Sequence, residues 1–293
     1  MAYVKNYYPG KICMDLPSAN YIYELPLLSF VDIHGTMGLS LIFNHRMMAE
    51  GNLYSIAAGY KLNMQKQLIM SNGYPTAYQN ETGNCTVLNG SDTPYTFDDD
   101  SHRILRRTGS TYTLENADFS KEIFDQAGRI TAAYDKYGLE TMEFAYDGNG
   151  RLTSIVYRES KVITFSYNSG NCLAKISYSG NDYETELFYA ENAITVKHYS
   201  GVTYTLAYAS PMDFTATASA IENSTTVSYV TKLVKSESNA VVISNLIGDY
   251  VADTTKYVFP KAITSSDEQF SQVEVTDHYG VKNRIHFKDN KAL

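Results

Sequence analysis

Six histidines and a scatter of acids are the residues of this chain that could do chemistry. The histidines are His34, His45, His102, His198, His278 and His286. No two stand four apart and no H-E-x-x-H occurs, so no helical zinc pair is written in the sequence. His278 and His286 could approach across a hairpin beside Asp277, a donor set that suits a divalent metal. Ordinary strand and turn positions explain them better. Asp100-Ser101-His102 holds the residue types of a nucleophile triad, but triad members converge from separate segments. The nucleophile elbow G-x-S-x-G is missing. Asp147-Gly148-Asn149-Gly150 opens like a calcium loop yet lacks the downstream donor spacing, which makes a hairpin turn the better reading. Carboxylates are abundant, but no pair is marked out as the acid and nucleophile of a glycosidase. There is no phosphate loop and no dinucleotide fingerprint. The expectation is a non-enzyme with no cofactor and no metal site.

The same residues make sense as parts of a repeat. Phe124-Asp125-Gln126-Ala127-Gly128-Arg129-Ile130-Thr131 is echoed by Tyr146-Asp147-Gly148-Asn149-Gly150-Arg151-Leu152-Thr153. Weaker echoes begin at Tyr167-Asn168-Ser169-Gly170 and at Tyr189-Ala190-Glu191-Asn192, and Tyr208 is a candidate fifth start. In each unit the aromatic ends a strand, and Asp or Asn hydrogen-bonds the backbone two residues on. Gly128, Gly150 and Gly170 are expected to supply the positive φ that a tight reversal needs. Arg151-Leu152-Thr153 and its equivalents start the return strand. Alternation places Met142, Phe144 and Tyr146 on one face of a strand. It places Leu152 with Ser154, and Thr153 with Ile155 and Tyr157. A second reversal falls near Tyr137-Gly138, Ser179-Gly180 and Ser200-Gly201.

Composition agrees with a strand protein. There are 26 Tyr, 12 Phe and no Trp, and Tyr favours a half-buried pleated surface. A net charge of −8 argues against a nucleic-acid partner, which needs clustered Lys and Arg. Arg103, Arg106 and Arg107 form the densest basic group and read as a solvated strand edge. Cys13, Cys85 and Cys172 are too scattered for a disulfide framework or a thiolate metal site, and buried free thiols are expected. No apolar run is long enough for a membrane span, and Met1–Gly10 lacks the apolar core of a signal peptide. Asn80, Asn84 and Asn89 head glycosylation-type triplets that read first as polar loops.

Outside the repeats, Leu25–Phe30 and Leu39–Phe43 are strand candidates flanking a turn-rich Asp32–Gly38. Ala58–Met64 and Gln67–Met70 follow, and Asn72-Gly73 is a strong hairpin signal. Gly109-Ser110 separates two short runs. Residues 211–270 look irregular, with strands at Thr225–Val230 and Ala240–Ser244 and a loop at Asp249–Thr255. Val275–Gly280 echoes Ala133–Gly138, and Arg284–Asp289 echoes Glu143–Asp147.

The unit at Tyr146 through Ile155 resembles the YD-repeat, or RHS-repeat, family. Phe124 opens a good match, Tyr167 a moderate one and Tyr189 a poor one. Pro26-Leu27-Leu28, Gly38–Leu41 and Gly59–Asn63 are similar to the segment that precedes the repeats in bacterial members. The resemblance implies an all-β fold, a curved antiparallel sheet of consecutive hairpins forming a solenoid or partial shell. It implies three regions: 1–103 before the repeats, 104–210 holding them, and 211–293 as a β continuation ending in a repeat-like unit. In bacterial relatives such shells enclose a toxic C-terminal domain, and in animal relatives they serve adhesion. The chain is expected to be too short for a whole shell, and to lack the self-cleaving core and a toxin. The expected role is a scaffold or shell segment in a secreted or cell-surface bacterial protein. Its expected partners are other segments or chains of an RHS-type assembly. The alternatives are a module binding carbohydrate or protein through its sheet face and, less favoured, a glycoside hydrolase.

Overall fold

The computed structural model describes residues 10–15, 18–32, 35–99, 101–158, 161–180, 183–210, 212–222, 224–263, 270–288 and 291–292. Met1–Pro9, Ile33, His34, Asp100 and Asp289 lie outside them.

The fold is all-β, a long antiparallel sheet of consecutive hairpins. The first strands are β1 Lys11–Asp15, β2 Asn20–Asp32 and β3 Gly35–Asn44, followed by a 3-10 turn at His45–Glu50. Then come β4 Tyr60–Leu62, β5 Gln67–Ser71, β6 Tyr74–Gln79, β7 Cys85–Asn89, β8 Tyr95–Phe97, β9 Ile104–Thr108 and β10 Thr111–Glu115. The repeats supply β11 Lys121–Phe124, β12 Ile130–Tyr134, β13 Glu140–Tyr146, β14 Leu152–Tyr157, β15 Lys161–Tyr167 and β16 Leu173–Tyr178. The chain continues with β17 Tyr183–Ala190, β18 Ala193–Lys197, β19 Thr203–Ser210, β20 Asp213–Glu222, β21 Thr225–Glu237, β22 Ala240–Ile247 and β23 Tyr250–Val258. It closes with β24 Gln272–Thr276, β25 Lys282–Lys288 and β26 Lys291–Ala292. Among the described residues no helix is long and apolar enough to cross a membrane.

Two compact units form, Asn52–Glu184 and Met1–Gly51 with Thr185–Leu293. These boundaries differ from 1–103, 104–210 and 211–293, because the first strands and the last ones build one core. In that core Phe214 is fully buried and stacks on Phe43 at 5.1 Å and against Tyr23 at 4.9 Å. Ala216 and Ala218 continue its face of β20, also fully buried. Small residues there leave room for the rings of β2 and β3.

Residues 213–222 and 225–258 are therefore largely regular strand, which keeps the expected strands at Thr225–Val230 and Ala240–Ser244 and corrects the irregular reading around them. Strands β20 to β23 run 10, 13, 8 and 9 residues. The supposed loop Asp249–Thr255 lies mostly in β23, where a register shift opposite Asn245/Leu246 absorbs its polar residues. In β20 the signal was hidden because Ala and Thr carry the alternation in place of large apolar side chains. Likewise Gly35–Gly38 is strand, with Asp32 paired to Gly35.

In the other unit each strand from β5 to β16 pairs with its successor. Asn72-Gly73 makes a two-residue hairpin with φ of 51° and 80°. Strand β9 is paired on both sides, so the arginine group is not on a sheet edge. Arg103 covers Phe97 at 4.2 Å and pairs with Asp99 at 2.7 Å, while Arg106 and Arg107 are exposed. The three cysteines are free, but Cys13 and Cys85 are exposed on their strands and Cys172 is half-buried at the end of a loop.

A strap, residues 52–66, runs to the turns at the repeat edge. Ser55 carbonyl accepts from Leu173 N–H at 2.6 Å, and Leu68 N–H donates to Gly128 carbonyl at 2.7 Å. From the strap Lys61 is fully buried with its ammonium on the Asn80 carbonyl, and Tyr54 hydroxyl meets Gln79. Burial pulls the Lys61 amine down to about 7.

Candidate functional site

The repeat motif builds one loop many times. Eight loops share a pair of backbone hydrogen bonds, starting at Asn80, Asn116, Asp125, Asp135, Asp147, Asn168, His198 and Asp277. The first residue donates to the carbonyl four on, and the fourth residue donates back to the first carbonyl. At Asp147 these bonds are 2.9 Å to Arg151 and 2.9 Å from Gly150. The fourth residue holds a positive φ of 62° to 85° in every loop. That conformation crowds a Cβ against the backbone, which is why Gly fills it six times.

The leading side chain closes the loop. Asp147 Oδ1 accepts from Asn149 N–H and Arg151 N–H, both at 2.9 Å. Asp125, Asp135, Asn168 and Asp277 accept from the same two positions. So does Asn80, whose amide oxygen is thereby a turn former. His198 substitutes an imidazole: Nδ1 takes Ser200 N–H at 3.2 Å, while Nε2 meets Leu27 carbonyl at 2.8 Å. Burial lowers the His198 pKa against the opposing pull of that carbonyl.

Two loops carry a further layer. Arg129 Nε and Nη2 grip Asp125 Oδ2 at 2.8 and 2.6 Å, and Arg151 grips Asp147 at 2.7 and 2.6 Å. Arg151's hydrogen bond, more than any other contact, holds the Asp147 carboxyl below its ordinary range. Each guanidinium then covers the aromatic of the next unit, Arg129 over Tyr146 at 4.9 Å and Arg151 over Tyr167 at 4.7 Å. The tyrosine hydroxyls reach back to a carbonyl: Tyr146 to Ile130 at 2.8 Å, Tyr167 to Leu152 at 2.7 Å. Burial pushes the Tyr167 hydroxyl up to about 12, and Tyr146 higher still. Asp, Arg and Tyr thus form a ladder from unit to unit. It stops at Cys172, which stands where an arginine would.

The residues after the arginine explain the rest of the motif. Tyr146 pairs with Leu152 and Ala145 with Ser154, so Thr153 is bulged out. Thr131 and Ala174 sit in the same bulge. The bulge turns Leu152 inward to join Ile155 and Tyr157, contrary to strict alternation. Thr153 and Thr131 hydroxyls donate across it to Ala145 and Ile123 carbonyls at 3.1 and 3.2 Å.

Some expected positions fall elsewhere. Gly170 does not carry the positive φ; Asn171 does, at 62°, and Gly170 N–H instead donates to Asn168. Two adjacent candidates made the choice invisible in the sequence. Tyr189 opens no such loop, because Ala190 pairs with Ala193 through a two-residue turn. Tyr208 pairs with Phe214 and opens none either. Phe124, the first aromatic, is wholly buried. The reversal at Ser200-Gly201 and the polar loop at Asn80 were expected, but Asn80, Asn116 and His198 were not read as the residues that close their loops. Their signal was a polar residue three before a Gly, except at Phe119, which holds φ 69° without one.

Asp277 caps its own loop, His278 sits at the exposed tip, and His286 pairs with Gln272 at the far end of β25. Among the described residues no three His, Cys, Asp or Glu side chains gather as for a metal. Ser101 hydroxyl accepts from Arg103. A cavity of about 440 Å³ is lined by Glu81, Glu122 and Asp135 among others. Glu122 there is taken by Lys66 at 2.6 Å and Tyr78 at 3.1 Å. Burial pulls the Lys66 ammonium down, but the Glu122 charge and hydrogen bond outweigh it and hold it above its ordinary range.

No curated protein matches the chain. The model of one family, Teneurin YD-shell, matches residues 74–245, more than half the sequence and the stretch that contains the whole ladder. By its hairpins, its loops and this match, the chain belongs to the Teneurin YD-shell family.

Proposed function

We propose that the chain is a non-catalytic YD-repeat scaffold, a wall segment of a secreted or cell-surface bacterial protein used in toxin delivery or cell contact. One observation carries this reading. The motif's Asp, Arg and Tyr groups are committed to backbone atoms and to one another. A general acid or base needs reach to a substrate proton, and Asp147 faces its own loop and Arg151 instead. Other segments or chains of an RHS-type assembly are the partners this role calls for.

The test is a substrate panel. The purified chain is expected to show no turnover of glycosides, esters or peptides above buffer. Turnover that co-purifies with it and disappears in Glu122→Gln would replace the scaffold with a hydrolase. Surface labelling of intact host cells checks the location: an epitope reached only after lysis counts against it.

A second reading, a module binding carbohydrate or protein, has its own observation. Hairpin turns in each unit hold aromatic side chains out to solvent. Tyr137 is 78% exposed in the unit 52–184, and Tyr250 and Tyr279 are 70% and 88% exposed in the other. Aromatics held out in this way suit stacking on sugar rings or packing on a partner. A glycan array separates the readings: saturable binding lost in Tyr250→Ser with Tyr279→Ser favours the module.

A further inference from the structure

Where the strap meets the arginine-bearing loops it leaves a cavity of about 80 Å³. Its wall includes Lys66, Arg129 and Arg151, together with Ser55, Gln65 and Gln67. Three cations therefore line one small space, and no carboxylate lines it. The acids that pair with these cations do so away from it. Asp125 and Asp147 hold the arginines through Nε and Nη2, and Arg151 Nη1 donates to Asn171 Oδ1 at 2.8 Å, so Arg151 contributes mainly its charge. Glu122 holds Lys66 at 2.6 Å. Arg129 Nη1 takes no part in the grip on Asp125 and lies over Gly150, 2.9 Å from where a Cβ would stand. The missing side chain at Gly150 is what leaves this face of the guanidinium open.

We infer that this cavity is an oxyanion site, sized for inorganic phosphate or sulfate or for the same group carried on a larger ligand. Arginine offers planar paired donors that fit two oxygens of such a group, and lysine adds a point charge. Gln65, Gln67 and Ser55 add neutral polar groups to the wall. The acids behind the cations keep the site weak rather than tight. This inference is independent of the scaffold reading, because it rests on the charge of one wall and not on the absence of turnover.

The test is an anion titration of the whole chain, with sodium phosphate or sulfate exchanged for chloride at constant ionic strength. The melting temperature is expected to rise by a few degrees and to saturate, as for any ligand that binds only the folded state. Gln67→Glu places a carboxylate on the cavity wall beside Arg129, whose backbone Gln67 bridges, so its melting in chloride is first matched to wild type to show that the Asp125–Arg129 loop is intact. It should shift the titration midpoint upward at least about tenfold. Arg106→Gln, at an exposed position outside the cavity, should leave the midpoint unchanged. Broadening of the phosphate ³¹P resonance by wild-type protein supplies a readout that needs no variant. A response that fails to saturate, or an unshifted midpoint in Gln67→Glu, overturns the site. A sulfated disaccharide compared with its unsulfated form identifies the source. A midpoint below that of free sulfate assigns the group to a larger ligand, and an equal midpoint assigns the free ion.

Discussion

The two units hold a hairpin sheet in opposite ways. The unit of Met1–Gly51 and Thr185–Leu293 has long strands and an interior of stacked rings on alanines. The unit Asn52–Glu184 has short strands, loops locked by Asp or Asn, and an interior that carries Lys61, Lys66, Glu122 and Tyr78. Long strands supply many ladder bonds and need little from their turns. Short strands supply few, so side chains must fix each reversal and join it to the next. The first unit also buries Asn20 and Asn44, joined at 3.1 Å, but the second strategy puts the ionisable Lys61 and Glu122 inside, and each of those needs a partner.

The largest expected break is in the dry core. Phe214→Ala should cost about 3–5 kcal/mol, because it removes a ring with no accessible surface from between Phe43 and Tyr23. Denaturant titration followed by domain-resolved hydrogen exchange would measure it, and a loss confined to residues 52–184 would contradict the assignment. Next comes Lys61, which sharpens the contrast through pH. Its amine titrates at about 7 in the folded chain and at 10.5 ordinarily. The unfolded chain therefore binds more protons between those values, so stability rises with pH across that window. The contribution is complete above 10.5, falls as pH drops towards 7 and is flat below. Lys61→Met should remove that slope and be the more stable form at pH 6, by on the order of 2–4 kcal/mol. Parallel wild-type and variant profiles would sink the idea.

Glycine substitutions divide the loops among themselves. Gly128→Ala drives a Cβ to 2.2 Å from the Leu68 carbonyl and keeps φ at 85°, whereas at Gly138 only φ of 81° opposes the change. Gly138→Ala should cost about 1 kcal/mol and Gly128→Ala about 1–3 kcal/mol more. Equal losses in chemical denaturation would show that the strap yields freely. Gly150→Val, strained by φ and by Arg129 Nη1 at 2.9 Å, should fall between them. The smallest effect belongs to the ladder's hydroxyl. Tyr167→Phe should cost about 0.5–1.5 kcal/mol by freeing the Leu152 carbonyl. No change in melting would mean that ring stacking alone joins the units.

What the sequence made legible follows from the range of the forces. Asp147, Gly150, Arg151 and Tyr146 could be read because their loop closes within five residues. The identity of Asn171 as the positive-φ residue could not, since Asn and Gly both tolerate that conformation and stood side by side. The bulge at Thr153 was hidden because alternation carries no mark of a skipped residue. Strand β20 was hidden because alanine and threonine keep the alternation without raising hydrophobicity, whereas the cores of β21 and β22 were legible from their β-branched runs. The strap was hidden for a different reason. Ser55 meets Leu173 and Leu68 meets Gly128, and no local pattern encodes partners so distant.

The ladder also has a direction. Each arginine-bearing loop is completed by a tyrosine that follows within about one repeat, the hydroxyl bonds spanning 16 and 15 positions. A chain leaving a ribosome or a secretion pore head first can therefore fasten each hairpin as soon as the next emerges, with little stretch left bare behind it. Export from the other end would present every tyrosine before its arginine, and the fastening would run in reverse.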